Sequence, residues 1–418
     1  MGPRDDFSRS GTPDAWLNTP RADSRRPARV GAVSATRQVI LLIDALGWEL
    51  AERTGFLGDR LPVRRRLRTI LGYSSAAIPS LLTGAVPRDH DHWFLYLRAR
   101  RPEDSPFPGA AFMARLPRRL REAWKIRRRL AEWWRKRSDI RGYFGLYEVP
   151  YAALARLDYV ERLDTWAPGT FITGSLVDDL AARGAAAFVS DWRVPDDEKF
   201  AAARAAAETP DPPRVFLLYL TEIDARQHAH GSIAPAVDER LVTYRAHIDA
   251  LLQRLERRGP VRLSVCSDHG MTDVTRVVDP NPTLAATGLN NPRDYELFID
   301  STFVRFWPGS PAVADRLTQA FTGLDWCHVM TAEEARREGV DFGDDRYGSL
   351  IVLAEPGVLI VPSFMGRSPL KGMHGYSPDD PASDAVLLRE SDDDPAPRSI
   401  LDLRRLFGAD LDRDKGRP

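Results

Sequence analysis

Three short runs constrain this chain more than any other feature. Gln38-Val39-Ile40-Leu41-Leu42-Ile43 stops at Asp44. Val215-Phe216-Leu217-Leu218-Tyr219-Leu220 leads through Thr221-Glu222-Ile223 to Asp224, and Val261-Arg262-Leu263-Ser264-Val265-Cys266 is followed by Ser267-Asp268-His269-Gly270. Runs dominated by consecutive apolar and β-branched residues, rather than alternating ones, are the pattern of strands covered on both faces. Each of the three delivers a carboxylate just past its carboxyl end. Helical patterns fall at residues 174–184, 236–258 and 312–323, with Pro235 placed to open the second. The alternation predicts an α/β fold with a mainly parallel central sheet flanked by helices. In such sheets ligands bind outside the carboxyl ends of the strands, where these acidic residues fall.

Further along, residues 347–364 are expected to form a hairpin around Glu355-Pro356-Gly357, Ala385-Val386-Leu387-Leu388 a late strand, and residues 400–407 a closing helix. The hydrophobic fraction of 43% over 418 residues is enough to bury a large interior. Acidic and basic residues balance at 59 each, so no global field directs the chain to nucleic acid or membrane, and electrostatic partners must be read from local clusters. Residues 1–36, rich in Pro, Ser, Arg, Asp and Gly, are expected to be a disordered leader, with the folded domain spanning 37–418.

Residues 88–150 differ in composition and are expected to be an inserted, mostly helical cap. Arg115 to Arg137 carries nine Arg and two Lys against two Glu, interleaved with Trp124, Trp133 and Trp134, at spacings that suit an amphipathic helix pair. A solvated helix face over buried Trp is the plainer reading; contact with an anionic substrate, phospholipid surface or nucleic acid is the other. Only Cys266 and Cys327 occur, too few for a disulfide framework, which favours a reducing compartment. The first residues lack an apolar signal region and no apolar run approaches membrane-spanning length, so a cytoplasmic protein is expected.

Six residues of metal-binding type follow the predicted strands or sit in glycine-flanked loops: Asp44, Asp224, His228, Asp268, His269 and His374. Asp224 and His228 are spaced i, i+4 and share one face if the chain turns helical there. Asp268 and His269 are adjacent, and a tight turn at Gly270 lets both face one cavity. Singly, an Asp at a strand end is more often a turn former and a His more often a surface or core residue; their convergence reverses that. Zn²⁺ takes about four such donors, so six side chains and one alkoxide nearly fill two sites. The pattern therefore implies two divalent ions, most simply Zn²⁺, with Mn²⁺ or Mg²⁺ as alternatives. Lys371, Arg226 and Arg367 are candidates for contacting substrate phosphate, although flexible basic side chains near loops are usually just solvated.

The run Ser74-Ser75-Ala76-Ala77-Ile78-Pro79-Ser80-Leu81-Leu82-Thr83-Gly84 resembles the nucleophile helix of the alkaline phosphatase superfamily, in which a Ser, Thr or modified Cys lies nine residues before a Thr-Gly pair. Counting back from Thr83 gives Ser74, with Ser75 and Ser80 as neighbouring hydroxyls that can cap the helix. Pro87-Arg88-Asp89-His90 is similar to the Pro-x-x-His that often follows. Asp268-His269-Gly270-Met271 and Gly372-Met373-His374-Gly375-Tyr376 match the type I phosphodiesterase and nucleotide pyrophosphatase branch.

The resemblance implies an alkaline phosphatase-like fold and a metal-dependent phosphodiesterase or nucleotide pyrophosphatase acting on a small anionic phosphoester. It implies that Asp44, Asp268 and His269 hold one ion, shared by Ser74, that Asp224, His228 and His374 hold the other, and that Ser74 forms a phosphoseryl intermediate. The chain departs from the pattern at Ala76, where relatives often have Pro, at Pro79, and at Ala77, where nucleotide pyrophosphatases place an Asn on a phosphoryl oxygen. A phosphomonoesterase, phosphonate hydrolase or phosphomutase would use the same scaffold. The Cys/Ser-x-Pro-x-Arg signature of sulfatases is missing after Ser74. A nucleic-acid or membrane binding module with a relic core is the reading from another class, and the complete ligand set argues against decay.

Overall fold

The computed structural model describes residues 36–392 and 395–413. The leader expected over residues 1–36 lies outside the described residues apart from Thr36. The two main sheets are built from β1 (Arg37–Ile43), β2 (Val63–Leu67), β3 (Ala187–Val189), β4 (Val215–Leu220), β5 (Val261–Cys266), β6 (Tyr295–Ile299), β7 (Phe303–Pro308), β8 (Cys327–Val329), β9 (Leu350–Ala354) and β10 (Ala385–Arg389). The helices that matter for function are α1 (Ser74–Thr83), α2 (Trp124–Arg137), α3 (Asp196–Glu208), α4 (Glu222–His230), α5 (Pro235–Glu256) and α6 (Leu403–Arg413).

β1 is buried from Gln38 to Ile43, and its side chains divide between two cores. Ile40 and Leu42 join α1, Leu176–Ala182 and α6 on one face; Val39, Leu41 and Ile43 join Trp48–Thr54, α3 and α5 on the other. Burial on both faces is why the strand reads as unbroken apolar sequence rather than alternation. The sheet has six strands in the order β2-β10-β5-β1-β4-β3. β5, β1, β4 and β3 are parallel, while β10 runs antiparallel to both β5 and β2. The expected helices appear at Leu176–Ala182, α5 and Pro311–Phe321, with Pro235 in the first turn of α5. The closing helix begins as a 3₁₀ turn at Ile400–Asp402 and continues as α6.

A second, antiparallel sheet, β6-β7-β9-β8, packs around Pro311–Phe321. Here the structure corrects the hairpin expected over residues 347–364. β9 and the following strand Val358–Ile360 do not pair with each other. The chain does turn, with the Val358 amide donating to the Glu355 carbonyl at 3.0 Å, but Val358–Ile360 leaves the sheet to pair in parallel with Arg276–Val278. Both flanks of β9 are already taken, by β7 and β8, so no edge is left for a returning strand.

The 88–150 stretch contributes no strand to the six-stranded sheet. Its Tyr96–Arg98 strand pairs with Leu157–Tyr159 as a separate ribbon, and between them lie short helices and the fourteen-residue α2. Tyr96, Phe107, Trp134, Tyr151 and Tyr159 form its core, together with Phe298 and Trp307 of the second sheet. Of the three tryptophans expected beneath the basic stripe, only Trp134 is buried; Trp124 and Trp133 are exposed. The expected helix pair reduces to one turn at Arg118–Arg121 followed by α2.

Candidate active site

Because β4, β1 and β5 are parallel neighbours in register, with Ile43 opposite Leu220 and Leu42 opposite Cys266, their carboxyl ends open on one edge. Asp44 follows β1 directly, Asp268-His269 follows β5, and α4 begins after β4 and carries Asp224 and His228 one turn apart. His374 arrives from the far side on a loop whose Gly372–Met373 pairs with Thr272–Asp273. Two glycines make this crowding possible. Gly47 has φ +47°, and a Cβ there would meet Gly270 Cα at 2.6 Å; Gly375 has φ +86°, and its Cβ would meet the Tyr73 ring at 2.6 Å.

Two groups of possible metal ligands result: Asp44 with Asp268 and His269, and Asp224 with His228 and His374. The His269 and His374 rings stack at 3.8 Å and bring the two groups into contact. In each carboxylate pair next to β1 and β5, one oxygen is held and one is left. Asp44 Oδ2 accepts from the Tyr219 hydroxyl at 2.5 Å and Asp268 Oδ1 from the Ala45 amide at 3.3 Å, whereas Asp44 Oδ1, Asp268 Oδ2 and Asp224 Oδ1 are buried without a hydrogen bond. These three oxygens are the ones that face the imidazoles.

The histidine tautomers follow from their outer contacts. His228 Nδ1 donates to the Gly372 carbonyl at 2.8 Å and His269 Nδ1 to the Gly270 carbonyl at 2.9 Å, so each Nε2 is left with its lone pair. His228 Nε2 lies 3.2 Å from Asp224 Oδ1, His374 Nε2 3.6 Å from the same oxygen, and His269 Nε2 3.2 Å from Asp268 Oδ2 and 3.5 Å from Asp44 Oδ1. Tetrahedral donors about 2.1 Å from one ion sit roughly 3.4 Å apart. The four separations bracket that figure, and orphaned carboxylate oxygens facing lone-pair nitrogens are a donor set that calls for a cation, so the residues fit two divalent ions.

Electrostatics point the same way. Burial, then the carboxylates of Asp268 and Asp224, push Asp44 well above the usual carboxylate range, against the Tyr219 hydrogen bond. Burial also raises Asp268. It opposes charge on Asp224 too, but His228, His374 and His269, when protonated, outweigh it and hold that carboxyl below its ordinary range, a role that a cation would take beside neutral imidazoles. His374 is held well below the usual imidazole range by burial and by the adjacent His269. Asp44 and Asp268, which resist their own charges in this way, are stabilised by positive charge from outside the chain.

Ser74 is the first residue of α1, and its Oγ lies 3.0 Å from His269 Nε2. Ser75 instead donates to the Trp93 carbonyl at 3.1 Å and Ser80 bonds to His90, so only the first of the three hydroxyls reaches the cluster by hydrogen bonding. Pro79 lies within α1, and the helix still begins at Ser74. Ala77 is fully buried and offers no polar atom to a substrate.

The three candidate phosphate contacts are placed differently. Arg226 donates to the Ala236 carbonyl and lies 4.0 Å from Glu222, and Arg367 pairs with Glu148 at 3.0 Å. The exposed Lys371 follows the ligand helix only through its amide, which donates to the His228 carbonyl at 2.8 Å. The sequence reading missed the supports: Tyr219 on Asp44, Gln227 donating to the Ala45 carbonyl at 2.7 Å, and Thr69 donating to the Asp268 carbonyl at 2.7 Å. Tyr219 left one signal, a lone hydroxyl in an otherwise apolar strand next to its carboxyl end.

A central, mainly parallel sheet with a serine-opened helix and two ligand groups at its carboxyl edge defines a phosphoric ester hydrolase on the alkaline phosphatase-type fold. The sequence profile of the type I phosphodiesterase / nucleotide pyrophosphatase family matches residues 116–377, more than half of the chain, and the chain belongs to that family. The family uses a two-metal site. Asp44 and Ser74 precede the matched residues and are joined to them by geometry alone. The fold is similar to that of murine ectonucleotide pyrophosphatase/phosphodiesterase 5, with a TM-score of 0.64 and 16% identity over 90% of this chain and 95% of that one. The human protein of the same name gives 0.64 at 14% identity with the same coverage, and an inactive form of the murine protein in complex with AMP gives 0.63 at 16%, also over 90% and 95%. A comparison with curated proteins finds no match.

Proposed function

We propose that the protein is a two-metal phosphodiesterase of nucleotide pyrophosphatase type in which Ser74 is the nucleophile and Zn²⁺ fills both ligand groups, with Mn²⁺ or Mg²⁺ as alternatives. The observation that carries this reading is the position of Ser74 Oγ, at a helix N-terminus and 3.0 Å from His269 Nε2, the same nitrogen that faces the orphaned oxygens of Asp44 and Asp268. Asp44, Asp268 and His269 would hold one ion with Ser74, and Asp224, His228 and His374 the other. When bound, the ions supply Lewis acidity to the phosphoryl oxygens and lower the pKa of a ligating hydroxyl.

The chain's own residues do the rest. Tyr219 fixes the Asp44 carboxylate, and the Gly270 and Gly372 carbonyls fix the imidazole tautomers. The first amides of α1 face the attacked phosphate, where a helix N-terminus favours negative charge. The Ser74 Oγ–P bond forms as the bond from phosphorus to the leaving oxygen breaks, and that oxygen leaves with a proton. Water then attacks phosphorus, the Oγ–P bond breaks, and Ser74 recovers its proton. The substrate is a small anionic phosphoester; AMP in the murine relative supports a nucleotide-like one. The 88–150 stretch is a cap on this fold, supported by its contributing no strand to the six-stranded sheet and by its packing on Phe298 and Trp307 of the second sheet. Cytoplasmic residence belongs to the same proposal and is supported by two cysteines that are both free and buried.

Hydrolysis of bis-p-nitrophenyl phosphate, p-nitrophenyl phosphate and nucleotide p-nitrophenyl esters, with metal content measured on the same sample, tests the reading. Diester turnover above monoester turnover with about two ions per chain is expected. Preference for the monoester would move the assignment to a phosphatase on the same scaffold. No metal, and no rescue by added Zn²⁺, Mn²⁺ or Mg²⁺, would overturn it.

A further inference from the structure

The basic stretch over residues 115–137 is not used by the site. Eleven cations against two carboxylates stand there, in a chain whose 59 basic and 59 acidic residues balance only when this stretch is included. Both carboxylates are consumed locally: Glu122 pairs with Arg118 at 3.0 Å, and Glu132 with Arg135 and Lys136 at 3.1 Å. Toward the body, α2 buries Trp134, and Arg127 donates to the carbonyls of Tyr147 and Val149. Away from the body, Lys125, Arg128 and Arg129 are exposed and have no carboxylate partner among the described residues.

Solubility alone does not require what accompanies them. Trp124 is 53% exposed and Trp133 47%; Leu120 at 46% and Phe112 at 66% precede them in the chain. At about 100° per residue, Lys125, Arg128 and Arg129 lie in one arc of α2, and Trp124 and Trp133 bound that arc on its two sides. Arg128 stands 4.8 Å from the Trp124 ring and Arg137 5.8 Å from the Trp133 ring. Cations on the crest, tryptophans at the edges and an exposed leucine in the turn just before match the layered chemistry of a bilayer interface, with charged headgroups outermost and acyl chains beneath.

We infer that the outer face of α2 and the turn before it dock on an anionic phospholipid surface. Charge complementarity and the apolar edge together select this partner. Nucleic acid would satisfy the cations but offers no apolar layer to Leu120 and the two exposed tryptophans. The chain's own residues 1–35 carry six Arg against four Asp, so their net charge is not complementary to that of this face. The interaction is local and screened by salt, because the molecule as a whole is neutral.

Flotation of the full chain with phosphatidylcholine vesicles, with and without one third phosphatidylserine, tests the inference. Binding is expected to the mixed vesicles only, and to be lost as salt is raised. Joint Lys125→Glu, Arg128→Glu and Arg129→Glu substitution is expected to lower partitioning at least about a hundredfold, at roughly 1 kcal/mol per cation near such a surface. Joint Trp124→Ser and Trp133→Ser substitution lowers it by about tenfold. All five positions are exposed, and unchanged melting curves report that the variants remain folded. No partitioning, equal partitioning to both vesicles, or partitioning unaffected by the charge reversal overturns the inference. So does duplex DNA that displaces the protein from vesicles at equal salt, which would make this face a nucleic-acid surface.

Discussion

At the carboxyl edge of β1, β4 and β5, three carboxylates and three imidazoles converge, with Asp44, Asp268, His269 and His374 buried and Asp224 and His228 partly so, whereas α2 spreads its cations over solvent. Both regions concentrate one kind of charge chemistry, and burial decides what it does. Buried groups act at short range through fixed geometry: an oxygen moved by an ångström loses its ligand role. Exposed cations act through their number and are weakened by salt, so no single one is indispensable. Substitutions at the sheet edge should therefore be large in chemistry and individually decisive, and those on α2 small and cumulative.

The largest effect is expected for Ser74→Ala. Turnover should fall by on the order of a thousandfold or more, while most of the metal stays bound, because six other ligands remain. Ser75→Ala, whose hydroxyl is spent on the Trp93 carbonyl, should be mild by comparison. Retention of substantial turnover by Ser74→Ala would make that hydroxyl a helix cap worth about 1 kcal/mol. Chelation comes next. Stripping metal with a strong chelator should lower the melting temperature by several degrees, since bound ions stabilise by mass action and three carboxylates left in one cavity repel. An unchanged melting temperature after verified removal would separate the two ligand groups from any shared site.

Tyr219→Phe is a smaller and more selective probe. It removes only the hydroxyl on Asp44 Oδ2, and supports of this kind typically change metal affinity or activity by about tenfold to a hundredfold. Metal titration alongside steady-state rates should show the loss with the fold intact; wild-type affinity would mean Asp44 needs no support.

The smallest effect on turnover belongs to Glu161, which lies just beyond the 88–150 stretch. Burial pushes the Glu161 carboxyl up to about 8, opposed by the Tyr143 amide. Its folded pKa lies above the unfolded one, so its contribution favours the fold fully below about pH 4.5 and is lost as pH rises through about 8. Glu161→Gln should flatten the stability curve across that window and raise stability at pH 8 by a few kcal/mol at most. An identical pH dependence in the variant would show that Glu161 is charged throughout.

Much of the sheet edge was legible in the sequence, because a strand buried on both faces reads as an apolar run and a carboxylate at its end is conspicuous. Asp44, Asp224 and Asp268 could be placed on one edge once the strands were taken as parallel, and the i, i+4 spacing put Asp224 and His228 on one helix face. Pairing choices among antiparallel strands were not legible. Glu355-Pro356-Gly357 does make a turn, but whether the next residues return to the same sheet depends on β7 and β8 occupying both flanks of β9. Supports such as Tyr219 and Gln227 escaped because hydrogen bonds between distant segments leave no periodicity. Trp124 and Trp133 looked like core residues because Trp usually is one; their exposure is set by which arc of α2 faces Trp134's pocket.

The central claim is that Ser74 takes the phosphoryl group. Acid quench of the metal-loaded enzyme during steady turnover of a diester, followed by peptide mass spectrometry, tests it most directly. Phosphate or its monoester should be found on the peptide containing Ser74, localised to that residue, and should disappear in Ser74→Ala. Phosphorylation at Ser75, or rapid turnover with no modified peptide at any quench time, would contradict the assignment.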